Sequence, residues 1–154
     1  MEKEDYVAKI SNATPVGLVI INFELLVESV ELALGNTANG NTEEFEANVN
    51  KAKDFLMLLM KSLNFEYDIS KQFLKAYIHI NALLNKAFFS KKTEPLNEAA
   101  SLLKTMLADW REILKIENAQ PVMENSQKLF AGLTYKNGEL EEYIPEEETR
   151  GFKA

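Results

Sequence analysis

Cysteine is missing from this chain altogether. That removes disulfides, thiolate zinc sites and cysteine nucleophiles, and it fits a reducing, cytoplasmic setting. Basic charge is scarce too. Seventeen Lys and Arg stand against 24 Asp and Glu, a formal charge of −7 that speaks against nucleic acid or an anionic membrane surface as partner. No long hydrophobic run occurs: the longest, Val16 to Phe23, is interrupted by Gly17 and Asn22 and is far too short to span a bilayer. The N-terminus, MEKEDYVAK, is polar and of mixed charge, so no secretory signal is expected. Histidine occurs once, as His79.

What remains is a soluble globular composition, 46% hydrophobic and 27% charged, at a length that suits one domain with a real core. The rest of the sequence is organised around Thr14 to Leu34. Thr14 can cap a helix and Pro15 sits where a missing N–H costs nothing, so a helix is predicted over 15–34, ended by Gly35. Its apolar surface is wider than one buried face requires. One stripe runs Val16, Val19, Phe23, Leu26, Val30, Ala33, and a second runs Leu18, Ile21, Leu25, Leu32.

Three more helices follow. The second starts near Asn41 or Thr42, with Glu43 and Glu44 favouring its first turn, and carries the seam Phe45, Val49, Ala52, Leu56, Leu59, Leu63. That alternating four-and-three step marks helices packed side by side at a shallow angle. Asp68 is the expected cap of a third helix over 69–89, with the seam Ile69, Phe73, Ala76, Ile80, Leu83, Ala87 and a second stripe of Leu74, Tyr77, Leu84 and Phe88. The fourth begins at Glu94, tolerates Pro95 in its first turn, and carries Leu96, Ala100, Leu103, Leu107, Trp110 and Leu114. Four amphipathic helices with short connections predict an all-α fold, an antiparallel four-helix bundle over residues 1–117.

The ends differ from this body. Tyr6, Val7 and Ile10 lie at helical spacing on a segment too short to be stable alone, which either docks in a groove of the bundle or frays. Residues 118–154 form an acidic tail. A short helix over 121–131 is expected there, then a hairpin turn at Asn137-Gly138, then a solvated EEE run after Pro145.

Searching for chemistry yields little. A metal-binding bundle needs a Glu-x-x-His pair, and the residue three before His79 is Ala76. His79 as a phosphate relay is weighed against a surface or partly packed imidazole. The second is favoured, since nothing from Tyr77 to Leu83 would activate the ring. Glu24, Glu28 and Glu31 read as the wet edge of the first helix, and Met57, Met60 and Met106 as gap fillers. No P-loop, dinucleotide fingerprint or Gly-x-Ser-x-Gly elbow is present. Neither an enzyme nor a cofactor or metal site is expected.

Several motifs, taken in order, resemble a known family. Tyr6 with Ile10, Asn12-Ala13-Thr14-Pro15, the apolar run through Phe23, Leu63-Asn64-Phe65-Glu66, the Ala76-Tyr77-Ile78 triplet, and Leu102-Leu103 to Asp109-Trp110 look like the bacterial flagellin-specific export chaperones, the FliS family. The likeness covers roughly residues 6 to 115. The sequence departs from the family where a Leu-Tyr pair becomes Asn22-Phe23 and where a glycine before the third helix becomes Tyr67. A further departure puts His79, Asn81 and Lys86 where the family has an arginine-rich segment. The resemblance implies a cytoplasmic four-helix-bundle chaperone that holds the C-terminal end of flagellin and hands it to the flagellar type III export apparatus, without ATPase activity.

The wide stripes give a physical reason for such a role. If they leave an apolar groove, a client helix could lie in it, and the expected partner-binding residues are Tyr6, Val7, Ile10, Leu18, Ile21, Leu25, Leu74, Tyr77, Leu84 and Phe88. The alternative is structural. The groove is then filled by the chain's own ends, through Tyr6, Val7 and Ile10 or Leu129, Phe130, Leu133 and Tyr135, or by a second copy in a homodimer.

Overall fold

The computed structural model describes residues 8–11 and 13–119, the last three of these in backbone only. Residues 8–11 are helical, and four long helices follow: α1 Pro15–Asn39, α2 Thr42–Lys61, α3 Ile69–Ser90 and α4 Glu94–Ala119. No strand occurs among the described residues. The short helix and hairpin expected over 121–144 lie outside them.

α1 starts as its sequence requires: the Thr14 hydroxyl oxygen accepts a hydrogen bond from the Gly17 N–H at 3.1 Å, and Pro15 occupies the first turn. Its end is later than Gly35. The helix continues through Gly35 to Asn39 and stops at Gly40, whose φ of 71° lies in the left-handed region and whose N–H reaches back to Thr37 and Asn36 carbonyls. Two side-chain contacts hold the added turn. The Thr37 hydroxyl donates to the Ala33 carbonyl, and the Asn48 amide of α2 donates to Asn36 Oδ1 at 2.6 Å. Of Gly35 and Gly40, only Gly40 has the positive φ that favours glycine at a helix end.

α2 is capped by the Asn41 side chain, which accepts from the Glu44 N–H at 3.1 Å. α3 begins after Asp68, but the Asp68 side chain makes no cap bond and its backbone is already helical. The turn before it carries the load instead. Asn64 Oδ1 accepts from the Glu66 N–H, and the Ser70 hydroxyl donates to the Asn64 carbonyl. The N–H groups that a cap would serve go to backbone carbonyls of the turn: Ser70 N–H donates to Tyr67 at 3.0 Å and Lys71 N–H to Asp68 at 3.1 Å.

α1 packs on α2 and on α4, and α3 packs on the same two. The seams read from the sequence are the core: Phe45, Val49, Ala52, Leu56 and Leu59 of α2, Ile69, Phe73, Ala76, Ile80, Leu83 and Ala87 of α3, and Leu96, Ala100, Leu103, Leu107 and Trp110 of α4 are all buried. Ala99, Met106 and Ile113 join them. α1 contributes Val16, Phe23, Leu26, Val30 and Ala33, with Ile20 and Val27, which belong to neither of its two stripes. Much of the extra apolar width of α1 and α3 is thereby used inside the fold, because each faces two neighbours and must present an apolar flank to both.

The carboxylates Glu24 and Glu31 lie along the α1–α4 seam rather than facing water alone. Glu24 meets Arg111 at 3.0 Å and Glu31 meets Lys104 at 2.7 Å. Such exposed pairs contribute little to stability. Among the described residues no helix is long and apolar enough to cross a membrane.

Candidate functional site

Three aromatic rings from two helices, with a fourth from α1, form the rigid centre of one end of the fold. Phe73 and Tyr77, one turn apart on α3, lie nearly parallel with centroids 6.3 Å apart. Trp110 of α4 packs against Phe73 at 5.9 Å, and Phe23 of α1 against Tyr77 at 6.3 Å. All four are buried. Pairs of this geometry add roughly 0.5–1.5 kcal/mol each beyond the area they bury.

Over this centre opens a cavity of about 320 Å³, lined by Pro15, Leu18, Val19 and Asn22 of α1, Ser62 and Leu63 after α2, Phe73 and Tyr77 of α3, and Trp110 of α4. It forms where α1 and α3 begin and α2 and α4 end. The lining is mainly apolar, and at its edge the Ser62 hydroxyl donates to the Leu59 carbonyl at 2.7 Å. Leu18 stands at the mouth, 40% exposed. A concave apolar floor with a few polar groups at its edge is the form that takes an apolar side chain of a partner.

The residues expected to bind a partner divide into groups. Leu18 and Tyr77 meet at this cavity, one at its mouth and one in its floor. Leu25, Leu74 and Phe88 are half-buried along the helices. Ile10 is exposed on the segment 8–11. Leu84 is fully buried in the core and Ile21 is buried off the continuous core cluster, so neither offers surface as the molecule stands. Leu84 lies where bundle contacts consume the stripe. Tyr6 and Val7 lie outside the described residues.

Sequence reasoning missed Val19, Asn22, Leu63, Phe73 and Trp110 as cavity residues, assigning most of them to seams. The signal available was the break between α2 and α3, where a seam must end before its neighbours do. It also passed over large apolar side chains that stand in water: Phe65, Ile78 and Phe89, the last 80% exposed.

Electrostatically the site is quiet. Burial pushes the Tyr77 hydroxyl well above the ordinary tyrosine range, so it stays neutral in the folded protein. The sign follows directly. The unfolded chain loses this proton near pH 10.0 and the folded one does not, so stability is complete below that pH and falls above it. Wild-type protein should lose an extra ~1.4 kcal/mol per pH unit above the unfolded value relative to Tyr77→Phe. Urea unfolding of both proteins on either side of that pH reads the difference, and parallel pH profiles would contradict it.

His79 is exposed, with Nε2 3.9 Å from a carboxylate oxygen of Glu98 on α4. Of the methionines, Met106 fills the core, Met60 packs against it, and Met57 is half exposed. Among the described residues no group of three or more His, Asp or Glu side chains could hold a metal ion.

Two comparisons bear on this arrangement. A family model described as flagellar protein FliS matches residues 2–117, a span that takes in all four helices up to two residues before α4 ends. No curated protein matches the sequence.

Proposed function

Because the chain belongs to the FliS family of flagellar proteins, we propose that it is a cytoplasmic export chaperone that binds the C-terminal segment of flagellin. It keeps that segment from assembling early and passes it to the flagellar type III export apparatus. The family is one of chaperones rather than enzymes, and the protein works by binding alone. Its four helices run antiparallel as a bundle over residues 1–117, and residues 118–154 are an appended tail.

The observation that supports this reading is the apolar cavity at the head of α1 and α3, with Leu18 left half in water at its mouth. Burying a large aliphatic side chain contributes about 1.5–3 kcal/mol. A client anchored in this cavity and running on along α1 past Leu25 would recover enough to offset much of the ordering cost of a disordered segment. The aromatic floor is rigid, so little of that gain is lost to reorganising the chaperone.

Titration calorimetry with the C-terminal segment of flagellin from the same organism tests the reading. The expected result is a saturable one-to-one complex with Kd of about 1 μM or tighter, co-eluting on gel filtration. Neither heat nor co-elution would reject it.

A further inference from the structure

We propose that the outer face of α3 is the docking surface for the chain's own acidic segment, residues 139–148. α3 carries Lys71, Lys75 and Lys86 and no acidic residue, and Lys91 and Lys92 follow directly, in a chain whose net charge is −7. The three helical lysines fall on one face with Ile78, His79, Ala82 and Phe89, and every one of these residues is exposed. Two large apolar side chains therefore stand in water, Ile78 at 54% and Phe89 at 80%, within a row of cations. Glu98 of α4 approaches His79, Glu46 of α2 pairs with Lys91, and Lys71 and Lys86 form no ion pair among the described residues.

The segment Glu139–Glu148, ELEEYIPEEE, is the complement in both respects. It holds six glutamates and no basic residue, interleaved with Leu140, Tyr143 and Ile144. The carboxylates match the lysines, and the three apolar side chains match Ile78 and Phe89.

Reach permits the contact. Trp110 of α4 packs on Phe73, near the start of α3, and α4 then runs on to Ala119, so the chain leaves at the end of the bundle where α3 begins. The residues between Ala119 and Glu139 can span up to ~60 Å when extended. α3 is only ~33 Å long at the helical rise. Docking within one chain raises the local concentration of the segment, so modest pairwise attractions suffice.

Zero-length carbodiimide cross-linking of the full chain, read by mass spectrometry on an equal mixture of light and heavy-isotope protein, tests this. The expected links join glutamates of 139–148 to Lys71, Lys75 or Lys86 within one isotopic species. Lys71→Glu with Lys86→Glu should cut the yield of the Lys75 link by about fivefold, the loss expected when two exposed attractions become repulsions. Links between light and heavy chains would replace the proposal with a second copy as occupant, and absence of links to these lysines would overturn it. Flagellin takes no part in the assay, so its outcome is independent of the client reading.

Discussion

Replacing Phe73 by alanine is expected to lower the unfolding free energy by about 3–5 kcal/mol, the loss typical of a fully buried aromatic. Phe73 is 0% exposed and stands between Tyr77 and Trp110, at 6.3 Å and 5.9 Å. Truncating it removes its own burial and both ring contacts. The vacated space would also join the cavity it already lines, leaving Tyr77 and Trp110 without support on one side. Domains of this size are stable by only ~5–15 kcal/mol, so the variant should sit close to its unfolding threshold. Phe73→Leu keeps most of the volume and should cost about 1.5 kcal/mol or less. Urea midpoints at constant m-value measure both changes. A loss below ~1 kcal/mol for the alanine variant would show that the aromatic centre is not the support described.

Leu18→Asp is expected to weaken binding of the flagellin C-terminal segment by about a hundredfold, since a carboxylate at the mouth must be desolvated when the client arrives. Folding should change by only ~0.5 kcal/mol, because the side chain is already 40% exposed and makes no core contact that the aspartate would break. Leu32→Asp is the control. Leu32 is 50% exposed on the same helix but lies ~21 Å along it and does not line the cavity. Its substitution should alter affinity by about twofold at most. Equal damage from both would mean that the client runs the length of α1 rather than anchoring at its start.

The core was readable in the sequence because the four-and-three rhythm is set by helical geometry, and every buried seam position of α2, α3 and α4 repeats it. Helix ends were less legible. Gly35 and Gly40 are the same residue type five positions apart, and only Asn36 and Thr37, through their contacts with Asn48 and Ala33, decide that the helix passes one and stops at the other. Asp68 has the chemistry of a cap, yet Asn64 and Ser70 organise the turn before it is needed.

The site was legible in part. Leu18 and Tyr77 stood out as additional apolar width, but width alone cannot distinguish a flank that meets a second helix from one left open. Leu84 went to the core and Leu18 to the surface for that reason. The cavity itself is built from four separated segments meeting at one end of the fold. Residues such as Leu63 and Trp110 carry no local mark of that meeting, since periodicity along one helix says nothing of where its neighbours stop.

The central claim is that a flagellin segment seats over the Phe73, Tyr77 and Trp110 centre at the head of α1. Trp110 is the sole tryptophan of the chain and lines the cavity, so its indole N–H gives a single resonance that reports on this place. Titrating labelled protein with the C-terminal flagellin segment should shift that resonance saturably, at the stoichiometry found by calorimetry, and Leu18→Asp should raise the segment concentration needed for half the shift by about a hundredfold. A complex that forms while the indole resonance stays in place would contradict the account.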